Sequence, residues 1–447
     1  MPISSSAVLA EDKLFSAFVN GQSATSAQSV PPEDGLTLLV GSADSGKALR
    51  LLATGTAFGE RFFFHHAGLG GDSGSPDSFL KRLMSWLRLT GEFPDPIPSD
   101  PDVQREALPN WLSRVAAGGA ICIAVADGQH LSRTGLEPDL AWIPNWLPPG
   151  VKVLVSVKPG PDAELWRERV DHEIDHSESG GAAELRATGR EILSDAQAQR
   201  IAELLWCSRN GLLVKDLQAL SGEAVDSLVD QLKPLVVRHE DRVILKSATA
   251  RELAASRSLA DHGARQKLQL TLAEYFARQE GASSALLNLW HLAQAGHSEL
   301  LLKGLLAENT LSACTDPLVR LEILMFWKRL GDTQFLVDEL AKIFATHAAQ
   351  ADVLMGVIGL VETASGQAVP RDWLQAGLTA ALASGNDDLQ ATLLERLGTH
   401  PESAEGEKLK LLLQALSLRE QSPGPGAPAC ESVRHNVAYR HEEMDDL

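Results

Sequence analysis

A glycine-containing loop near the N-terminus carries the residue types best suited to chemistry. In "LTLLVGSADSGKALRLLA" (36–53), an apolar run stops at Gly41, and a polar loop then ends in Gly46 and Lys47 before a helix-like pattern. This spacing is typical of a phosphate-binding loop, in which backbone N–H groups face the anion and the lysine reaches the outer phosphates. We expect Gly41, Ser45, Gly46 and Lys47 to contact phosphate. The alternative is a glycine turn that leads into an ordinary surface helix.

One position departs from the G-x-x-x-x-G-K-[ST] pattern. It holds Ala48, whose methyl group stands where a hydroxyl should ligate Mg²⁺. The loss of one ligand should weaken metal binding more than nucleotide binding. The sequence therefore predicts weak binding of ATP or ADP and leaves Mg²⁺ open.

A carboxylate that could hold such a metal follows another apolar run. "ICIAVADGQHL" (121–131) places Asp127 at the end of a strand-like stretch. A nucleotide hydrolase usually carries a second acid close by, but the nearest following acid here is Glu137, and His130 stands between them. Asp127 is the candidate metal ligand, and the candidate catalytic residue if the protein is active; a strand-ending turn is the alternative. His130 could act as a base or could simply be solvated.

Other histidines are interpreted as surface residues. "DHEIDHSES" (171–179) places His172 and His176 four positions apart, which could bind a metal from one helix face. The serines and glycines that follow favour a solvated loop instead. The pair at 65–66 and the terminal "RHNVAYRHEE" receive the same interpretation.

The elements that must position the loop and Asp127 alternate between strand and helix patterns. Apolar runs predict strands near 36–40, 62–66, 121–126 and 151–157, with helical patterns between them. Such alternation is typical of an α/β domain with a mostly parallel sheet covered on both faces.

The chain after residue 160 is mainly helical. Three helices and a small hairpin over 193–255 predict a winged helix, and amphipathic helices over 256–420 predict a solenoid-like helical repeat region. The predicted domains are a lead-in, a phosphate-loop α/β domain, a connecting segment, a winged helix, a helical repeat region and a disordered Pro/Gly-rich tail: 1–30, 31–160, 161–192, 193–255, 256–420 and 421–447.

Composition excludes several classes of function. The net charge of -19 argues against a general role in gripping nucleic acid, because no basic excess exists to neutralise phosphates. The scattered cysteines favour reduced, buried thiols; they are Cys122, Cys207, Cys314 and Cys430. The start of the chain shows no export signal, and the longest apolar runs are too short to span a bilayer. We expect a cytoplasmic protein without membrane contacts.

The order of these motifs resembles the STAND class of P-loop ATPases. It is most similar to the NACHT-like branch of nephrocystin, telomerase-associated proteins and bacterial relatives. The resemblance rests on the phosphate loop, on "IAVADG" and "LAWIPNWLPPGVKVLVSVKPG", on "AELLWCSRNGLLVKDLQAL", and on "LAEYFARQ" and "LWHLAQAGHSELLLKGLL". It covers about residues 31–310.

The resemblance implies roles for particular residues. The phosphate loop would cradle phosphates, Asp127 would hold Mg²⁺, and Lys158 would lie in the sensor region, where an arginine often contacts the γ-phosphate. Such proteins often offer a winged-helix histidine to bound ADP, but "VILKSATAREL" (243–253) has none there. Ala48, His130 and the missing histidine together favour a degenerate switch.

Three functions stay open at this level. The first is a pseudo-ATPase scaffold that binds a protein partner along its helical repeats, in bacterial defence or signalling by analogy. The second is a slow ATP-dependent switch that oligomerises on activation. The third is a winged-helix transcription regulator, although its candidate recognition helix, "VDSLVDQLKPLVVR", is poorly charged for a DNA groove.

Overall fold

The chain divides into two compact units, Met1–Tyr275 and Phe276–Leu447. The computed structural model describes residues 15, 18–19, 29–30, 33–55, 57–92, 96–98, 100–133, 137–176, 182–222, 225–347, 350–421 and 428–445. The predicted lead-in over 1–30 therefore lies almost wholly outside the described residues.

A five-stranded parallel sheet forms the centre of the first unit. Its strands are β1 (Gly35–Gly41), β2 (Phe62–His66), β3 (Ile121–Ala126), β4 (Val151–Val157) and β5 (His172–His176), in the order β2-β3-β4-β1-β5. All pairings are parallel, so the carboxyl ends of the strands meet at one edge. In open parallel sheets, ligands bind outside that edge.

Five helices accompany the sheet in the chain, and two of them begin at a side-chain cap. They are α1 (Lys47–Gly55), α2 (Pro76–Thr90), α3 (Pro101–Ala117), α4 (Pro161–Arg167) and α5 (Ala182–Ile192). The Ser75 hydroxyl accepts from the Ser78 N–H at the start of α2, and Asp100 caps α3 in the same way. Leu51 of α1 is fully buried against the sheet core. The predicted fold class, a parallel α/β domain followed by a helical region, is confirmed.

The fifth strand corrects one sequence expectation. The stretch around His172 and His176 was expected to be a solvated loop, but it forms β5, which pairs with β1 at the edge of the sheet. Its polar composition explains the error, because edge strands carry charged side chains that discourage further pairing. Residues 177–181 lie outside the described part of the chain.

A smaller cluster of elements, here called the helix–hairpin module (196–255), completes most of the first unit. It contains α6 (Ala196–Cys207), α7 (Val214–Ser221), α8 (Asp226–Gln231), α9 (Ala248–Ala255) and the antiparallel strands β6 (Leu212–Leu213), β7 (Val236–His239) and β8 (Arg242–Leu245). The strands lie in the order β6-β8-β7. The next helix is α10 (His262–Ala277).

The second unit contains helices and no strand among its described residues. Its helices are α11 (Ala282–Gln294), α12 (Ser298–Leu305), α13 (Glu308–Ala313), α14 (Pro317–Trp327), α15 (Thr333–His347), α16 (Ala351–Ser365), α17 (Arg371–Ser384), α18 (Asp387–Thr399), α19 (Glu405–Gln421) and α20 (Pro428–Asp445). Some consecutive helices pack together, among them α17, α18, α19 and α20, whereas α13 and α14 both pack on α16 and α11 packs on α14. Glycine allows the closest approach: a Cβ at Gly356 would lie 1.7 Å from the Leu311 carbonyl oxygen. The second unit therefore combines contacts between consecutive helices with contacts between helices further apart in the chain.

The C-terminal helix differs from the expected disordered tail. Residues 422–427 lie outside the described part, but α20 is helical, and Cys430 and Val433 are fully buried. The Cys430 thiol also donates to the Arg419 carbonyl oxygen at 3.2 Å. The apolar spacing of these two residues, three positions apart, is what a short helix needs to pack on a neighbour.

Candidate phosphate-binding site

The predicted phosphate loop lies between β1 and α1, at the carboxyl edge of the sheet. Asp44 and Gly46 both take positive φ, +56° and +88°. Glycine adopts this conformation freely, whereas an L side chain at Gly46 would be strained. The loop therefore turns tightly into α1, and Lys47 is the first residue of that helix.

Lys47 is a buried cation that contacts its own loop. Its side chain donates to the carbonyl oxygens of Gly41 at 2.8 Å and Ser42 at 2.5 Å, and the residue is 4% exposed. Burial lowers the pKa of Lys47, and the carboxylates of Asp127 and Asp44 oppose that shift. Its acceptors are neutral, so an anion could exchange with them at the ammonium group.

A cavity of about 290 Å³ opens beside this lysine. It is lined by Phe18, Asp44, Ser45, Gly46, Lys47, Ala48, Leu49, His66, Asp127, Leu185, Lys246 and Ser247. The Ser45 Oγ and Asp44 Oδ2 atoms are buried without a hydrogen-bond partner among the described residues. The first turn of α1 also borders the cavity, and the N–H groups of a helix's first turn lack partners inside the helix. The Ser45 hydroxyl, the Lys47 ammonium group and the N–H groups of α1 suit an oxyanion, whereas the carboxylates of Asp44 and Asp127 would repel one.

Asp127 directly follows β3 and lines the same cavity as the phosphate loop. It adopts a left-handed backbone conformation, and its N–H donates to the Ser156 hydroxyl at 3.1 Å. Asp127 Oδ2 lies 3.9 Å from His66 Nε2. The parallel pairing of β2 with β3 explains this proximity, since His66 is in register with Ala126.

His65 and His66 were expected to be solvated, and that expectation is wrong. Both are buried at the end of β2, with exposures of 0% and 3%. His65 Nε2 lies 2.7 Å from the Ser73 carbonyl oxygen, and His66 Nδ1 accepts from the Gly68 N–H at 3.2 Å. Successive residues of a strand face opposite sides of the sheet, and aromatic side chains cover both sides at this point. Both histidines are therefore buried.

Two histidines beside Asp127 have shifted proton affinities. Burial lowers the pKa of His66, opposed by the carboxylate of Asp127. Burial also lowers the pKa of His130, again opposed by Asp127. A Cβ added at Gly68 would come within 3.4 Å of both imidazoles and of the Asp127 carboxylate, so the four residues are close neighbours. His130 is thus partly buried next to the candidate carboxylate rather than simply solvated.

The two remaining predicted residues, Ala48 and Lys158, differ in whether they line the cavity. Ala48 lines the cavity with its methyl group, in the place expected for a hydroxyl. Lys158 is exposed, and its backbone N–H donates to Gln129 Oε1 at 3.2 Å. Among the described residues, Lys158 is outside the set that lines the cavity. The structure therefore brings the phosphate loop and Asp127 together, but not Lys158.

Lys246 is a cavity residue that the sequence motifs did not indicate. It follows β8 of the helix–hairpin module and lines the cavity with Ser247, which caps α9. Burial lowers the pKa of Lys246, opposed by Asp44. Its only sequence signal is the "LKS" phrase directly after the hairpin, within the "VILKSATAREL" stretch that lacks a histidine. A second, partly buried cation therefore lines the cavity from another part of the fold.

The described residues offer little support for a preformed metal centre. No group of three or more His, Cys, Asp or Glu side chains within them is arranged to hold a metal ion. His172 Nε2 pairs with Glu33 Oε2 at 3.1 Å, whereas His176 is buried against the phosphate loop. The two histidines thus have separate partners. Within the part of the chain that the structure describes, no helix is long and apolar enough to cross a membrane.

Comparison with known proteins identifies no family for this chain. No family model matches it, and no curated protein matches it. Among solved structures, it is similar to a signal transduction ATPase with numerous domains (STAND) from Pyrococcus horikoshii that has a tetratricopeptide repeat sensor. The alignment has 11% sequence identity and a TM-score of 0.48, and it covers 99% of this chain and 82% of that one. The function is therefore argued from the site itself.

Proposed function

We propose that this protein is a pseudo-ATPase scaffold, a degenerate relative of the NACHT-like STAND branch, that binds the phosphates of ATP or ADP weakly without efficient turnover. The observation that carries the proposal is the buried ammonium group of Lys47. It borders a cavity together with the start of α1 and has only neutral hydrogen-bond acceptors.

The two lysines of the cavity, Lys47 and Lys246, suit an anion, whereas the carboxylates of Asp44 and Asp127 oppose one. Burying a cation costs free energy unless an opposite charge or several good hydrogen bonds compensate it. Among the described residues, no carboxylate lies within 4.0 Å of the Lys47 ammonium group. In this proposal the negative charge of a phosphate group offsets the positive charges of Lys47 and Lys246. The loop around the phosphate is formed by Gly41, Ser45 and Gly46.

The same cavity is poorly equipped for hydrolysis. Ala48 cannot ligate Mg²⁺, so a bound metal would depend on Asp127, water and the phosphate oxygens. Such a metal would neutralise charge on the outer phosphates. The neighbours of Asp127 are His66 and His130, and the lowered pKa of each favours the neutral imidazole near pH 7. A second carboxylate to orient water is missing from the sequence close to Asp127.

A slow ATP-dependent switch is the second candidate, and one observation favours it. Lys246 reaches the cavity from the helix–hairpin module, which we interpret as a winged helix, whereas Lys47 belongs to the α/β domain. A phosphate that contacted both would couple the two parts, and its loss would release them. Oligomerisation on activation belongs to this alternative.

The partner in the favoured proposal is a protein bound along the helical second unit, in the cytoplasm and in defence or signalling. The stacked helices and the overall charge of -19 support a basic partner. DNA is disfavoured, because Arg238 beside the candidate recognition helix already pairs with Asp226 at 2.7 Å. We expect no tight, salt-sensitive binding to random duplex.

The proposal is tested by asking whether purified full-length protein binds nucleotide through Lys47. The protein is denatured and its supernatant chromatographed for released nucleotide, and fluorescent ATP and ADP are then titrated into fresh protein. We expect measurable affinity that Lys47→Met weakens by at least about tenfold, equal to about 1.4 kcal/mol. Lys408→Met, which removes another buried lysine, in the second unit, is the matched control and should bind like wild type.

Two outcomes would contradict the proposal. If the wild-type protein carries no nucleotide and binds none, the cavity is not a nucleotide phosphate site. Robust phosphate release that Lys47→Met abolishes would replace the pseudo-ATPase with the switch.

A further inference from the structure

His176 connects the last strand of the sheet to the phosphate loop. Its Nε2 atom lies 2.7 Å from the Ser45 carbonyl oxygen, and Arg50 Nη1 lies 2.9 Å from its Nδ1 atom. The residue is 4% exposed, so water has little access to either contact. Both ring nitrogens are therefore used, one toward the loop and one toward the helix that follows it.

The chemistry of Arg50 decides which nitrogen of the neutral His176 imidazole carries the hydrogen. A guanidinium group can only donate hydrogen bonds, so Nδ1 of His176 must accept. The hydrogen of the neutral ring then lies on Nε2, which donates to the Ser45 carbonyl oxygen. Arg50 thus orients the ring, and the ring holds the Ser45 carbonyl.

Holding this carbonyl also fixes the next N–H group of the loop. In a planar trans peptide, the C=O of Ser45 and the N–H of Gly46 point in opposite directions. A carbonyl directed at β5 therefore turns the Gly46 N–H away from β5. Gly46 and Ser45 both line the cavity, so the peptide between them forms part of its wall.

Gly41, at the end of β1, contacts the same histidine directly. It is in register with His176, and a Cβ at position 41 would lie 2.9 Å from both the Cβ and the carbonyl oxygen of His176. Glycine at this position therefore lets β5 approach the loop closely. The close approach of His176 therefore requires glycine at the first position of the motif.

We propose that His176 is a positioning residue, oriented by Arg50, that holds the phosphate loop in its anion-accepting shape. This inference rests on the proposed function, because the ligand is the same phosphate group. It adds a residue outside the loop motif, and it predicts that affinity depends on an N–H donor at the position of Nε2.

Substitutions at position 176 separate the two ring contacts. His176→Gln keeps an N–H donor near the position of Nε2, whereas His176→Asn keeps an acceptor near Nδ1 but is too short to reach Ser45. His176→Leu removes both groups and stays apolar. His172→Gln, on the same strand but in contact with Glu33 rather than the loop, is the matched control.

The readout is the affinity of each full-length variant for fluorescent ADP, with thermal melting without ligand to verify folding. We expect the Asn and Leu variants to bind about fivefold more weakly, and the Gln variant and the control to stay within about twofold of wild type. Folded Gln protein that binds as weakly as the Asn variant would overturn the inference, as would wild-type affinity in all variants.

A measurement without ligand separates this inference from the proposed function. Amide hydrogen exchange of residues 43–48 should be faster in His176→Asn than in wild type or His176→Gln. Equal exchange in all three proteins would overturn the positioning role even if no nucleotide binds. Faster exchange in the Asn variant, with no nucleotide bound by wild type, would keep the positioning role and reject the phosphate site.

Discussion

Arg209 Nη2 lies 3.2 Å from Asp72 Oδ2, and the two side chains are only 2% and 14% exposed. This ion pair joins the loop after β2 to the helix–hairpin module. Arg251 of α9 acts in the same place, donating to the carbonyl oxygens of Leu69 at 3.2 Å and Trp206 at 3.0 Å. Gly71 permits the contact, since a Cβ there would lie 2.0 Å from the Arg209 carbonyl oxygen. The module is thus held to the α/β domain beside the strand that carries His66.

The first prediction concerns the stability that this buried pair contributes. Asp72→Asn keeps the shape of the side chain but removes the negative charge beside buried Arg209, and we expect a loss of about 3 kcal/mol in the free energy of unfolding. Urea unfolding measures it. The control is Asp226→Asn, which weakens the exposed pair with Arg238 and should cost less than about 1 kcal/mol. Equal losses in the two variants would show that burial does not strengthen the Asp72 contact.

The second prediction concerns Lys246. If it contacts the bound phosphate, Lys246→Gln should reduce the affinity for fluorescent ADP by about tenfold, because a charge-assisted hydrogen bond in a buried site is lost. Equilibrium titration measures it, and Lys233→Gln, on the surface of the same module, should leave affinity unchanged. Unaltered affinity in Lys246→Gln would confine the phosphate site to the α/β domain.

The third prediction concerns turnover. Phosphate release by the wild-type protein alone should be near background, because Ala48 supplies no metal ligand and His130 stands where a second carboxylate is expected. Removing one group that stabilises a transition state commonly costs about 10²–10³ in rate. The assay compares wild type, Lys47→Ala and Ala48→Thr. High wild-type activity that Lys47→Ala abolishes would establish the switch alternative.

The fourth prediction concerns acid. Burial lowers the pKa of His66, so between that lowered pKa and the ordinary value of 6.5 the unfolded chain binds more protons than the folded one. The free energy of unfolding therefore holds its full histidine contribution above the ordinary pKa and falls as pH drops below about 6.5. From pH 6.5 to 5, one histidine can contribute at most about 2 kcal/mol.

A variant isolates this contribution from that of other titrating groups. His66→Asn keeps an acceptor for the Gly68 N–H, and it should lose less stability than wild type when urea unfolding is repeated at pH 7 and pH 5. Identical losses in both proteins would mean that His66 does not titrate differently on folding.

Local sequence patterns were sufficient to predict the central strands and the phosphate loop of the first unit. Buried parallel strands are continuous apolar runs, so "ICIAVA" and "VKVLVSV" predicted β3 and β4 within a residue. The phosphate loop is also local, because its glycines and lysine are adjacent in sequence to the strand and helix they join. The placement of Asp127 near that loop followed from the rule that parallel strands end at one edge.

The partners of that loop were decided only by the tertiary structure. His176 is 131 positions from Ser45, and β5 is an edge strand whose polar residues resemble a loop. His66 and Lys246 are ordinary polar residues until strand pairing and the hairpin place them in the cavity. The sequence by itself determined which backbone could hold a phosphate. The long-range packing of β2, β5 and the hairpin decided which side chains surround it, because burial and proximity belong to the folded arrangement and not to residue type.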